Sequence, residues 1–262
     1  MRRFLAATTG AVLAAVTPLG AGAAHAVVGG QEAVPHQFPF MAGLVDLEQR
    51  RVMCGGVLVS ERYVLTAAHC LTGAYADTAR VGVLLGDHDL TVRDDAPNAV
   101  LAPPDRFLVH PGYDPAAQRN DIALVRLARP VAYNRDVSPV GLPDPSAHGS
   151  LDHVRVEAPG WGATSYGGGT SDVLRVVALD TMGNAACVAR GMTAVTAEQL
   201  CTYSPGRDTC VYDSGGPLVH RVAGRPYVVG LVSYGKGCAT ESPAVNTRVS
   251  SYLSWIGRTT AA

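Results

Sequence analysis

Apolar residues in this chain come in short runs that stop at Gly, Pro, Asn or Asp. The first series is Phe40 to Val45, Gly56 to Val59, Tyr63 to Ala67, Val81 to Leu85, Phe107 to Val109 and Ile122 to Leu127. A second takes Val154 to Ala158, Val173 to Leu179, Pro217 to Val219, Tyr227 to Val232 and Ala244 to Val249. Many short runs with turn residues between them read as strands, so the pattern predicts an all-β barrel or sandwich. Leu127 to Pro145 shows little strand pattern and holds Pro130, Pro139, Pro143 and Pro145, which marks it as the linker between two halves. One helix is expected at the end of the chain, where Val249, Tyr252, Leu253 and Ile256 follow the i, i+3, i+4, i+7 spacing of one helical face. No internal repeat is evident.

Composition narrows the class. The 262 residues are 47% hydrophobic and 16% charged, enough to bury a sizeable core in one domain or two packed halves, and this excludes disorder, collagen and coiled coil. The 21 Lys and Arg against 22 Asp and Glu offer no electrostatic reason to expect nucleic acid or an anionic membrane as partner.

The N-terminus reads as an export signal. Met1, Arg2 and Arg3 precede an apolar stretch from Phe4 to Val16, and small residues lead on to Ala24-His25-Ala26, the order of a secretory signal peptide over residues 1–26. The plainer alternative is a buried N-terminal helix. The apolar run is too short to span a bilayer, and no later stretch approaches the necessary length, so a soluble, extracellular mature chain is expected. Lys236 is the only lysine. Usage rich in Ala, Gly, Val and Arg suggests a high-GC bacterial source.

Export turns the six cysteines, Cys54, Cys70, Cys187, Cys201, Cys210 and Cys238, into candidates for disulfides rather than zinc ligands; none lies in a C-x-x-C pair. The residues leave the pairing open. If neighbours pair, a Cys54–Cys70 bridge closes a short loop worth about 3 kcal/mol.

Three segments carry chemistry: Leu65-Thr66-Ala67-Ala68-His69-Cys70, Asn120-Asp121-Ile122-Ala123-Leu124-Val125 and Asp213-Ser214-Gly215-Gly216-Pro217. A serine hydroxyl is a poor nucleophile until an imidazole takes its proton, and the imidazole needs a carboxylate to fix its tautomer and stabilise its cation. His69, Asp121 and Ser214 supply these types in the order His, Asp, Ser. Singly, each has a bland reading as a bonded structural histidine, a turn aspartate or a Ser-Gly-Gly loop. Together they point to a hydrolase.

With these segments, Val27-Val28-Gly29-Gly30, Gly160-Trp161-Gly162, Ser233-Tyr234-Gly235 and Tyr252-Leu253-Ser254-Trp255-Ile256, the sequence resembles the trypsin-like branch of the chymotrypsin family of serine proteases over essentially all of residues 27–262. The resemblance implies two six-stranded antiparallel β-barrels, about 27–130 and 146–248, a short C-terminal helix at about 249–258, and an active site in the cleft between the barrels. It also implies disulfides Cys54–Cys70, Cys187–Cys201 and Cys210–Cys238. By the same resemblance Ser214 is the nucleophile, His69 the base, and Asp121 its ionised partner backed by Ser233. The backbone N–H groups of Ser214 and Tyr212 hold the oxyanion, worth roughly 3 to 4 kcal/mol per donor.

Asp208 matches the pocket floor that pairs with Arg or Lys of the substrate, and Gly235 matches an open pocket wall. Three positions depart from the family. Ala244 stands where trypsins usually carry glycine and should narrow the pocket. Tyr234 stands where tryptophan is commoner. Tyr212 replaces a glycine, which implies backbone strain and crowding of protein inhibitors or bulky leaving groups. The α-amino group of Val27, freed by cleavage after Ala26, is expected to pair with Asp213. Cleavage after Ala23 would instead leave Ala24 to Ala26 for a second protease.

The resemblance implies that no cofactor is required and that no metal sits at the reacting centre. The loop Gly86-Asp87-His88-Asp89 to Asp94-Asp95 could offer oxygen ligands to a structural calcium, although such loops are usually just solvated. The expected partners are polypeptide substrates and a proteinaceous inhibitor, with the chain a monomer. Competing readings are a non-catalytic binding module on the same scaffold and a protease with altered primary specificity.

Overall fold

The computed structural model describes residues 27–92, 96–144 and 149–261; the expected signal segment and Asp94 and Asp95 lie outside them. Among the described residues, fourteen strands form two antiparallel sheets.

The first sheet contains β2 (Met41–Asp46), β3 (Arg51–Ser60), β4 (Tyr63–Thr66), β5 (Val81–Leu85), β6 (Val100–Ala102), β7 (Pro104–Val109) and β8 (Ala123–Leu127), in the order β6-β5-β2-β3-β4-β8-β7. Its two outer strands are consecutive in the chain, separated only by Pro103. Adjacent prolines 103 and 104 lack the N–H groups a ladder needs, so one strand bends there, pairing with β5 before the bend and β8 after it. The barrel closes through that bend.

In the second sheet, β9 (Arg155–Gly160), β10 (Arg175–Met182), β11 (Gln199–Thr202), β14 (Ala244–Arg248), β13 (Arg225–Tyr234) and β12 (Pro217–Val222) form a closed ring, because β9 pairs with both β12 and β10. Strand β1 (Gln31–Glu32) adds to the outside of β10. This corrects the expectation that residues from 27 onward belong to the first barrel. A two-residue polar strand carries no apolar period of its own, and only the exposed edge of β10 gives it a partner.

Each apolar run of the sequence falls on a strand, whereas β1, β6, β11 and the helix α1 (Asn184–Ala189) were not anticipated. Strand β11 is fully buried although Gln199 and Thr202 are polar. Gln199 satisfies its amide by donating to the Gln118 carbonyl at 3.1 Å and to the Tyr234 hydroxyl at 3.3 Å. The C-terminal segment begins as a 3₁₀ turn, Val249–Tyr252, and continues as α2 (Leu253–Thr260). Val249, Tyr252 and Ile256 are buried, the face their spacing predicts.

Each barrel has its own apolar interior, the first around Leu44, Leu58, Val64 and Val125, the second around Val156, Leu179, Leu200 and Leu218. A third cluster joins residues of both sheets and α2, including Phe40, Leu65, Ile122, Trp161, Leu231 and Ile256. At about 1.5–3 kcal/mol for each large side chain buried, this shared cluster fixes one barrel against the other. Residues between β8 and β9 dock on both: Val140 N–H donates to the Leu58 carbonyl and Val228 N–H to the Gly141 carbonyl.

Candidate active site

His69 sits in a 3₁₀ turn, Ala68–Leu71, directly after the buried strand β4. Asp121 immediately precedes Ile122 and β8, the strand paired with β4, so a single ladder places the two side by side. The His69 backbone N–H donates to Asp121 Oδ1 at 2.9 Å, and His69 Nδ1 meets Asp121 Oδ2 at 2.8 Å. From the other barrel, Ser233 Oγ donates to Asp121 Oδ2 at 2.6 Å, and Thr247 Oγ1 donates to the Asp121 carbonyl at 2.7 Å.

Asp121 is only 3% exposed. Burial by itself pushes its pKa up, but the hydrogen bond and charge of His69, with the bond from Ser233, outweigh burial and hold it below the usual carboxylate value. An ionised carboxylate bonded to Nδ1 leaves Nε2 as the free face of the imidazole toward the cleft. Thr247 has no counterpart among the residues singled out by sequence; a threonine in a strand carries no local sign of bonding a carbonyl 126 positions away.

Ser214 lies in the turn before β12 and is fastened to the first barrel, where Gly55 N–H donates to the Ser214 carbonyl at 2.8 Å. A Cβ on Gly55 would run into Gly216, so glycine here permits the close backbone approach of the two barrels beside the nucleophile. Ser214 lines one cavity, His69 lines the next, and Ser233 lines both.

Among the described residues the backbone N–H groups of Tyr212 and Ser214 donate to no internal acceptor, which leaves both for an incoming oxyanion. Tyr212 has φ 75°, the left-handed region. For a residue with a Cβ this costs roughly 1–2 kcal/mol. Part of that is offset across the cleft, where the Arg51 guanidinium lies over the Tyr212 ring at 4.7 Å from its centroid, a contact worth about 0.5–1 kcal/mol.

The cavity holding Ser214 has a volume of about 260 Å³ and is walled by Gly235, Gly237, Ala244 and the Cys210–Cys238 disulfide. Asp208 is among its lining residues and is 7% exposed. Its carboxylate accepts from the Thr209 N–H at 2.9 Å and the Ala239 N–H at 3.0 Å and has no ion-pair partner among the described residues. Burial raises its pKa to about 6 against these two hydrogen bonds. Thr209 and an exposed Tyr166 also line the cavity and were missed in the sequence, Tyr166 because it comes from a Gly-rich loop with no pattern.

Asp213 is fully enclosed. Its oxygens accept from the N–H groups of Gly162 at 2.9 Å and Cys210 at 2.8 Å, and burial pushes its pKa to about 7. A Cβ on Gly160 or Gly162 would overlap this carboxylate, which explains the glycines flanking Trp161. Val27 is buried in the second barrel's interior, and Val28 bridges to Asp208.

Three disulfides are present, Cys54–Cys70, Cys187–Cys201 and Cys210–Cys238. Among the described residues the one cluster close enough to share a metal is Cys54, His69 and Cys70, whose sulfurs are bonded to each other. At the loop considered for calcium, Asp89 turns onto Thr91, accepting from its N–H and hydroxyl, and no triad of acids converges among the described residues.

Comparison with known proteins agrees with this geometry. The sequence model of the trypsin family matches residues 27–256. The chain is 40% identical to brachyurin of Leptuca pugilator, over 88% of this chain and 96% of that one. It is 33% identical to trypsin-1 of Astacus astacus, over 88% and 98%, and 36% identical to mast cell protease 3 of Ovis aries, over 91% of each. These relatives are animal proteins, so the bacterial source suggested by composition is not supported; amino-acid bias reports nucleotide content, not lineage.

Proposed function

The chain belongs to the trypsin family of serine endopeptidases, and from that premise we propose that it is a secreted enzyme hydrolysing peptide bonds after Arg or Lys. The observation that supports the specificity is the Asp208 carboxylate, buried in the lining of the Ser214 cavity with two N–H donors and no cation among the described residues. A guanidinium or ammonium entering that cavity meets a desolvated opposite charge, and a neutral or acidic side chain would leave the carboxylate uncompensated.

In the proposed reaction, Ser214 Oγ attacks the scissile carbonyl as His69 Nε2 takes its proton. The oxyanion is held by the N–H groups of Tyr212 and Ser214. The imidazolium protonates the leaving amine, and the acyl-enzyme is released by water activated at His69. Asp121 stays ionised throughout. Secretion is supported by the N-terminal signal pattern and by three disulfides, which persist in oxidising compartments. Activation follows when cleavage after Ala26 frees the Val27 amino group to pair with Asp213.

The test is hydrolysis of matched peptide anilides ending in Arg, Lys, Phe and Glu by the chain beginning at Val27. Cleavage after Arg and Lys is expected, with Ser214→Ala lowering turnover roughly a millionfold. Preferential cleavage after Phe or Glu would reject the Asp208 assignment. A second reading, altered primary specificity, is favoured by one observation: the Ala244 methyl lines the cavity and its backbone faces Gly235 across it. Turnover of Phe substrates restricted by Ala244 and widened in Ala244→Gly would identify it.

A further inference from the structure

Tyr212 and Arg51 make a contact that the reaction itself does not require. Tyr212 lies between the cavity floor at Asp208 and the nucleophile, yet its ring leaves the second barrel and reaches Arg51, the first residue of β3 on the other barrel. Three positions along the same strand, Cys54 bonds to Cys70, the neighbour of His69. Arg51 therefore belongs to the strand tethered beside His69, and it lines neither the Asp208 cavity nor the His69 cavity.

The Arg51 guanidinium interacts with the Tyr212 side chain and feels the charge of Asp46, but it makes no ion pair among the described residues. Its Nε donates to the Gln49 side-chain oxygen at 2.6 Å, and among the described residues no carboxylate pairs with it. The two acids of the adjoining turn are committed elsewhere. Asp46, opposite Arg51 in the ladder, is buried and accepts from the Glu48 and Gln49 N–H groups and from Arg80 at 3.3 Å. Glu48 pairs with Arg80 at 3.1 Å. Arg50, next in the chain, is exposed and adds a second cation. A guanidinium stacked on an aromatic ring keeps its planar fork in one orientation, and that fork matches a carboxylate in two-point fashion.

We infer that Arg51, held in place by Tyr212, forms a carboxylate-binding subsite on the leaving-group side of the cleft, selecting Asp or Glu at the second residue after the scissile bond. The position follows from the alternation of side chains in an extended peptide. The residue before the bond points into the Asp208 cavity, the next points away, and the one after that turns back toward the segment 208–214, where Tyr212 projects. The inference rests on the catalytic reading proposed above.

The experiment uses two internally quenched peptides that share Arg before the bond and differ only in Asp or Lys at the second position after it, with an Arg anilide that has no residue there. Wild-type enzyme is expected to prefer the Asp peptide by roughly tenfold in kcat/KM. Each variant's peptide rates are divided by its own anilide rate, so partial misfolding cancels. Arg51→Glu should reverse the preference, and Arg51→Lys should keep part of it. Tyr212→Gly should weaken it by freeing the guanidinium. An Asp-to-Lys ratio within twofold of unity in wild type, or unchanged in Arg51→Glu, overturns the subsite. Failure of wild type to cleave even the anilide overturns the catalytic reading and the subsite with it.

Discussion

Asp208 combines two properties that conflict, a carboxylate's charge and a buried position. Its pKa of about 6 reflects this, with burial as the main cause. A cation bound in the cavity favours the ionised form, so binding and proton release are linked. Affinity for a small aromatic amidine should be flat above about pH 7 and fall as pH drops through 6, approaching tenfold per unit once the acid is protonated. Titration calorimetry from pH 4.5 to 8 reads this directly, and a flat profile would place Asp208 away from the ligand. Asp208→Asn should lower kcat/KM for Arg substrates by about a thousandfold, in line with roughly 4 kcal/mol for a desolvated charge pair. At the same scale, Tyr212 shows how a departure from the family appears in the backbone. Its replacement of glycine leads to an expectation of strain, and φ 75° is where that strain resides.

Among the elements, the turn bearing His69 depends on a short cross-link. The 3₁₀ turn is a single turn long and gains little from its own hydrogen bonds, so its position comes from strand β4 before it and from the Cys54–Cys70 bridge to β3. Replacing both cysteines by Ala should remove about 3 kcal/mol, given a loop of 16 residues. That corresponds to a fall in Tm of roughly 6–12 °C. A loss of peptide hydrolysis larger than the lost folded fraction is also expected, because His69 would no longer be held beside Asp121. Scanning calorimetry and kinetics on one preparation separate the two effects, and an unchanged Tm would show that the strands alone position the turn. Strand legibility divides along the same physical line. Strands with apolar cores, such as β4, β8 and β13, are visible in the sequence because burial selects Val and Leu on them. Strand β11 is invisible because its polar side chains are buried by bonding to distant groups, and β1 because its pairing comes wholly from β10.

Over the whole molecule, the second barrel keeps two carboxylates, Asp208 and Asp213, with no internal cation among the described residues. The pKa of Asp213 is raised to about 7, first by burial and further by the charge of Asp208. A raised carboxylate costs stability as pH climbs from its unfolded value toward its folded one, because the unfolded chain releases a proton that the folded chain retains. A chain still carrying residues before Val27 should therefore lose roughly 3 kcal/mol between pH 5 and pH 7.5, a drop in Tm of about 6–12 °C. In the chain cut after Ala26 the Val27 ammonium should cancel most of that drop; equal falls in both forms would refute the pairing. By itself the sequence carried the strand pattern of an all-β barrel or sandwich and the Ser, His and Asp types of a nucleophilic site, since strand periodicity and the chemistry of a serine nucleophile leave their marks in local residue types; the two-barrel arrangement and the expected role of Asp208 came only with the resemblance to the family. Only the tertiary structure decided that Thr247 of one barrel bonds the aspartate of the other beside the expected Ser233, that β1 belongs to the second sheet, and that Tyr212 reaches Arg51. Those contacts join residues far apart in the chain, and no local pattern of polarity encodes a partner that only folding brings within reach.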